Sequence, residues 1–454
     1  MADNVTPLYP EPPAAVPFAE DTLALQFADL NKDRLRFVAK WGRWQCWNGS
    51  VWVPDDTLHV YDRVRDLIRL EASLINGSNS ASKPKKLLEG RVISSVERLA
   101  RSDRRMAATV EQWDADPWNL NTPSGPVNLR TGTQREPEPL SYATKCTAVS
   151  PGGKLDLWPD FLARITGQNT ELGAFIQRMA GYCLTGMTSE HALFFLYGTG
   201  ANGKSVLVNT LAGIMGDYAI SAPIEMFLAT KTDQHPTGIA SLVGARLVSV
   251  VETEKGRRWA EAKIKGLTGG DKISARFMRQ DFFEFTPQFK LVIAGNHKPG
   301  LRGVDEAMRR RLNLVPFTTT IPKPDRDTEL FEKLRPEWPA ILQWMIDGCL
   351  AWQETKLAAP AAVINATEQY LEAEDGFGQW LNECCEEDRS EFSLVATLFD
   401  NWKLWAEKAG EFVGSQKTFS QNLEDREYQR KRQGGSGKTG FQGICLRRTE
   451  LPGL

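Results

Sequence analysis

The chain has 454 residues, 41% hydrophobic and 25% charged, an ordinary balance for several globular domains. Its 55 Lys and Arg stand against 57 Asp and Glu, a formal net charge of −2, which excludes nucleic-acid binding through bulk positive charge and leaves only local basic patches. No apolar run approaches the ~18–20 residues that cross a bilayer, and the N-terminus lacks the basic and apolar regions of a signal peptide.

Residues 1–20 carry Pro7, Pro10, Pro12, Pro13 and Pro17 and read as a disordered lead-in. Residues 21–150 read as a mostly helical α+β domain. Trp41, Trp44, Trp47 and Trp52 crowd the Asn48-Gly49 pair, a strong hairpin signal. Helical period follows over residues 62–74 and 87–100. The polar stretch 76–86, with Lys83, Lys85 and Lys86, reads as a solvated loop rather than a nucleic-acid contact. Asp114 and Asp116 form a D-x-D pair, but Pro117 follows and no apolar strand precedes, so the pair reads as structural. Residues 119–132 read as loops and hairpins.

Residues 151–360 alternate helical and β-rich runs, the pattern of an α/β domain. A helical region over 156–185 leads to strands at 192–197, 245–251, 289–295 and 312–317. Another helix carries Trp338, Ile341, Leu342, Met345 and Cys349 on one face. Residues 366–454 read as a separate small domain of helices followed by a Gly-rich hairpin. Seven cysteines without a C-x-x-C, and only four histidines, exclude a zinc ribbon or a disulfide framework. The expected compartment is a reducing cytoplasm.

The strongest motif is Gly198-Thr199-Gly200-Ala201-Asn202-Gly203-Lys204-Ser205, a full match to G-x-x-x-x-G-K-S/T between a buried strand and an amphipathic helix. Its backbone N–H groups suit a nucleotide's phosphates, Lys204 reaches the β- and γ-phosphates, and the Ser205 hydroxyl binds Mg²⁺. Gly437-Lys438-Thr439 lacks the first glycine, since Arg432 stands there, and reads as a basic turn.

The strand ending at Val251 delivers Glu252 and Glu254, suited to hold Mg²⁺ and polarise the attacking water. Glu252 is the first choice. The strand from Lys290 ends in Asn296, whose amide can hold the lytic water. Arg309, Arg310 and Arg311 then form a run suited to reach a neighbouring subunit's γ-phosphate, with Arg311 the leading candidate and Arg310 the second. At the C-terminus, Arg430, Lys431, Arg432, Lys438, Arg447 and Arg448 flank a glycine-punctuated hairpin, read as a phosphate-contacting wing. Residues 416–429 read as the recognition helix before it.

The ordered segments GTGANGKS, ARLVSVVETE, KIKGLTGGDKISARFMRQDFFEF, FKLVIAGNHKP and MRRRLNLVPF resemble the superfamily 3 helicases, specifically the phage and plasmid primase-helicases related to the poxvirus primase-helicase. The resemblance covers roughly residues 25–450. It implies an AAA+-like P-loop motor between a helical α+β domain and a small winged-helix domain. It further implies a ring, a hexamer, that uses ATP and Mg²⁺ to unwind single-stranded and forked DNA in phage or mobile-element replication. By this resemblance Lys263, Lys265, Arg276, Phe277 and Arg279 lie on or near a hairpin that grips DNA in the central channel.

Too few residues precede the helical domain for a primase domain, so primase activity is not expected of this chain; a separately encoded primase is a candidate partner. Two other readings remain at this point. One is a non-helicase AAA+ ATPase that loads or remodels a replication partner. The other is a DNA-binding scaffold with a vestigial motor, against which the intact Lys204, Ser205, Glu252 and Asn296 argue.

Overall fold

The structure, a computed structural model, describes residues 16–75, 82–230, 237–251, 257–279, 281–301, 305–432 and 437–447. Most of the proline-rich lead-in, Glu252, Glu254, the wing tip and Arg448 lie outside the described residues.

The first domain packs helices Glu20–Asn31, His59–Leu74 and Gly90–Ala100 against a small sheet. The sheet runs Trp52–Pro54, Arg43–Trp47, Leu35–Val38, Ala107–Ala108. The Asn48-Gly49 turn closes the expected hairpin, with Trp47 opposite Trp52. Asn48 stabilises it by accepting the N–H groups of Ser50 and Val51 at 2.9 and 2.8 Å. Residues 76–81 lie outside the described residues, and the rest of the expected polar loop is corrected: Ser82–Leu87 is a short helix.

The central sheet has five parallel strands: β1 (Leu193–Tyr197), β2 (Ala219–Ser221), β3 (Leu247–Val251), β4 (Lys290–Gly295) and β5 (Leu312–Pro316). Their order across the sheet is β5-β1-β4-β3-β2. Near-continuous apolar runs form β1, β3 and β4 because both faces are covered. Phe194 and Leu196 enter one core, with Trp158, Phe175 and Leu342, while Leu193 and Phe195 enter the other, with Trp259 and Tyr370. This is the two-residue period of a strand read on both sides. Behind the first face, helices Thr170–Leu184 and Trp338–Thr355 cross closely. A Cβ on Gly181 would stand 2.1 Å from the Cys349 nitrogen, and one on Gly348 2.2 Å from the Gln177 oxygen.

Two expected boundaries are corrected. The meander Asn119–Leu120, Val127–Asn128, Thr133–Gln134 does not belong to the first domain alone. Leu120, Val127 and Leu129 are buried in the core behind the central sheet. Arg246, 3% exposed, fastens the segment by donating to the carbonyls of Leu184 (2.8 Å), Asn119 (2.9 Å) and Asp116 (3.2 Å). At the other end, the expected small domain starting at residue 366 begins a helix later. Helix Ala361–Glu374 belongs to the central-sheet domain: Ala366, Tyr370 and Leu371 fill its second core, and the Thr367 hydroxyl accepts the Leu314 N–H at 2.9 Å.

The last domain runs helix Gly376–Cys384, strand Cys385–Leu394, helices Val395–Ala409 and Gln416–Glu424, then strands Gln429–Arg432 and Thr439–Leu446. The last strand lies between the other two. Phe377, Trp380, Trp402 and Phe419 form an aromatic core. The expected recognition helix over 416–429 is shorter, because Gln429 already starts a strand.

Candidate functional site

The phosphate loop leaves β1 at its C-terminal end and enters helix α1 (Lys204–Met215). Gly203 adopts φ +81°, the left-handed turn that aims the first N–H groups of α1 back over the loop. A Cβ there would stand 2.4 Å from Ile165 Cγ2, so the loop is backed by the core. A Cβ on Gly198 would stand 2.1 Å from the Phe317 oxygen. Around Gly200, by contrast, an added Cβ would meet nothing within 4 Å, and Thr199, Ala201 and Ser205 are exposed. The loop is thus closed on its core side and open where phosphates would lie.

Lys204 is 5% exposed. Its ammonium donates to Gly198 O (2.8 Å), Asn202 Oδ1 (2.9 Å) and Asn296 Oδ1 (3.3 Å). Burial lowers its pKa. Asn202, 3% exposed, also donates from Nδ2 to Phe317 O at 2.9 Å and so ties the loop to the exit of β5. That tie was not foreseen from the motif, in which the position is a free x. Asn296 follows β4, and β4 pairs with β1 in parallel register, Gly295 opposite Tyr197, which brings the amide to the loop lysine. Lys298, also unforeseen, sets its ammonium 4.0 Å from the Tyr197 ring centre at the same edge. β3 ends beside them, Val251 opposite Ala294. Among the described residues no cluster of His, Cys, Asp or Glu could hold a metal. The open Ser205 hydroxyl fits Mg²⁺ bound jointly with nucleotide phosphates.

The arginine run lies at the other edge of the sheet. Arg311 O accepts the N–H of Leu193, the first residue of β1. At ~3.3 Å per residue, the length of β1 separates the run from its own phosphate loop by ~13 Å or more. Arg311, the expected reaching residue, is held within its own subunit. Its side chain is buried, 6% exposed. Nε donates to Thr268 Oγ1 at 3.2 Å and Nη1 to Ala307 O at 2.7 Å. Arg310 is exposed, and its guanidinium has no hydrogen bond or ion pair among the described residues. Arg309 is also exposed and faces Glu306 at 3.9 Å.

Helix Glu261–Thr268 precedes a hairpin of strands Ile273–Ala275 and Phe283–Phe285. Lys263 and Lys265 lie on that helix, not on the hairpin. The Lys263 ammonium donates to Met226 O at 3.1 Å, and Lys265 pairs with Asp305. Asp305 also caps the short arginine-bearing helix, accepting the Met308 N–H at 2.8 Å. Thus Lys265–Asp305 and Thr268–Arg311 join the hairpin's root to the arginine run.

The hairpin tip is exposed. Phe277, Met278 and Phe282 are 40%, 69% and 60% exposed. The Arg276 guanidinium lies 4.9 Å from the Phe282 ring centre, Phe277 stacks on Phe283, and Arg279 takes φ +60° in the turn. In the last domain Arg430, Lys431 and Arg432 are exposed along one strand, with Arg430 also 3.3 Å from Glu424; Lys438 lies just before the next strand. Asp114 accepts the Thr144 N–H at 2.8 Å and Asp116 the Trp118 N–H at 2.9 Å, the expected structural use.

A family described as "D5 N terminal like" matches residues 24–167, and a "Family of unknown function (DUF5906)" matches residues 196–311. The chain is 26% identical over 255 residues to "Putative helicase L207/L206" of Acanthamoeba polyphaga mimivirus, covering 51% of this chain and 26% of that protein. It is 28% identical over 239 residues to "Putative helicase 022R" of Frog virus 3, covering 47% and 24%. These matches fit the viral and phage primase-helicase family. The chain spans about a quarter of the length of these two relatives. The apo structure of the NrS-1 C-terminal region matches 92% of this chain and 99% of that one, with a TM-score of 0.52 at 9% identity, a likeness of fold alone. No helix among the described residues is long and apolar enough to cross a membrane.

Proposed function

We propose that the chain is the motor of an ATP- and Mg²⁺-dependent DNA helicase of superfamily 3, an AAA+-like ATPase that works as a ring, a hexamer, on single-stranded and forked DNA. The observation that carries this reading is the opposition of two edges. Lys204 and Asn296 meet at one end of the sheet, while the exposed Arg310 stands at the other, beyond reach of its own loop. Two copies are needed to bring these groups together. The strand order β5-β1-β4-β3-β2 supports the AAA+-like assignment, and the helix and strand order of the last domain supports a winged helix.

Bound ATP supplies a phosphoanhydride whose cleavage drives the cycle, and Mg²⁺ neutralises charge on its phosphates. The residues of this chain divide the remaining work. Lys204 exchanges its carbonyl and amide partners for phosphate oxygens. Asn296, released from Lys204, orients the attacking water. Ser205 and Glu252 hold the metal, and Glu254 polarises the water. Arg310 reaches across the subunit boundary to the transition-state charge. Lys265–Asp305 and Thr268–Arg311 carry its displacement to the hairpin, whose Arg276, Phe277 and Arg279 hold a strand by phosphate contact and stacking. The basic wing strand, Arg430 to Arg432 with Lys438, holds duplex phosphates ahead of the ring.

The test is complementation. Lys204→Ala and Arg310→Ala are each inactive, and a mixture in which subunits exchange regains turnover, because some interfaces pair an intact loop with an intact arginine. A mixture that stays dead after proven exchange refutes the shared site.

A further inference from the structure

The first domain holds a cavity of about 400 Å³ between its hairpin and the start of helix His59–Leu74. Its charged lining has one sign, Arg34 and Arg63, with no carboxylate among the described lining residues. The nearby acid, Asp55, is already used. Its two oxygens accept the N–H groups of His59 and Val60 at 2.8 and 2.9 Å and cap the helix. Cys46 also lines the cavity, and burial pushes its thiol up to about 11, so it adds no negative charge.

The arginines differ in how they are held. Asn31, 5% exposed, accepts from Arg63 Nη1 at 3.0 Å, and His59 Nε2 accepts from Arg63 Nε at 2.9 Å. These two bonds fix the guanidinium plane and leave Nη2 for a ligand. Arg34 is exposed, and its guanidinium has no partner among the described residues. Trp47, half-buried against Trp52, supplies an aromatic wall. Two guanidinium forks in one concavity suit the oxygens of a phosphate, and an aromatic wall suits a base. The volume lies in the range of pockets that enclose small ligands.

We propose that this cleft binds a nucleotide unit, with Arg34 and Arg63 on its phosphate and Trp47 against its base, either as a free nucleoside phosphate or as one residue of a single strand. The site lies outside the motor and stands or falls independently of the helicase reading.

The experiment is photocross-linking on the full chain, mapped by mass spectrometry. One probe is 8-azido-ATP and the other a short single-stranded oligonucleotide carrying 5-iodouracil. Adducts between residues 34 and 63, centred on Trp47, are expected from at least one probe. Labelling by azido-ATP identifies a free nucleotide, and labelling by the oligonucleotide alone identifies a strand. Arg34→Glu, at an exposed residue whose guanidinium has no partner among the described residues, keeps the melting temperature and lowers this labelling by about tenfold or more, the scale of a lost charge-assisted bond. Arg63→Gln lowers it as well. Adducts elsewhere on the chain verify that each probe reacts. Absence of adducts between residues 34 and 63 with both reactive probes overturns the proposal. So does unchanged labelling in Arg34→Glu.

Discussion

Replacing Arg311 and Arg310 separately by alanine distinguishes a structural arginine from a catalytic one. Arg311 is 6% exposed, with bonds of 3.2 Å to Thr268 and 2.7 Å to Ala307. Burial and the adjacent Arg310 charge lower its pKa, while Asp305 and Asp271 oppose that shift. Truncation removes two bonds from a charged donor and leaves a void where the side-chain stem was packed. Thr268 keeps its own bond to Ile264 O at 2.7 Å, which limits the damage. A loss of about 2–4 kcal/mol follows. For a domain of this size that lowers the melting midpoint by roughly 4–16 °C. Arg310→Ala touches no buried group, so its midpoint moves by less than about 2 °C, while turnover falls by ~10³–10⁵. The assays are thermal unfolding and steady-state ATP hydrolysis. If Arg311→Ala keeps its midpoint, loses turnover and complements Lys204→Ala, Arg311 and not Arg310 is the reaching residue.

Asp305→Ala breaks both the Lys265 pair and the Met308 cap. It should cost about 1 kcal/mol of stability and reduce the stimulation of ATP hydrolysis by DNA more than the basal rate; equal loss of both would show no coupling through this link. Arg279→Ala should keep basal hydrolysis and lose DNA stimulation and strand separation, and full unwinding by the Arg276→Ala, Arg279→Ala double variant would move the grip elsewhere. Removing residues 376–454, from the observed start of the last domain, should weaken forked-duplex binding and flatten its salt dependence while sparing basal hydrolysis; an unchanged salt slope would assign that domain to assembly.

The parts of this fold legible in sequence were those where one constraint acts alone. Parallel strands buried on both faces are written as unbroken apolar runs, so β1, β3, β4 and β5 lie within a residue or two of their expected places. The short edge strand β2, three residues long, leaves no such run and was missed. The Asn48-Gly49 hairpin is encoded by its turn chemistry. Helix Ala361–Glu374 was legible as a helix but not in its allegiance, because an apolar face reads alike whichever core it enters. The phosphate loop was legible because glycine and lysine at fixed spacing are its chemistry, whereas the second use of Asn202 depends on Phe317, 115 positions away. The three arginines were indistinguishable in sequence. What separates Arg311 from Arg310 is Thr268, 43 residues earlier, and no local pattern records that contact.

The central claim is that a nucleotide motor at Lys204 is coupled to a DNA-gripping hairpin. Steady-state ATP hydrolysis by the full chain, with and without single-stranded DNA and beside Lys204→Ala, tests it most directly. The account predicts hydrolysis that rises severalfold with DNA and vanishes in Lys204→Ala, with the fold of that variant intact. Hydrolysis that persists in Lys204→Ala, or that ignores DNA at saturating binding, would contradict it.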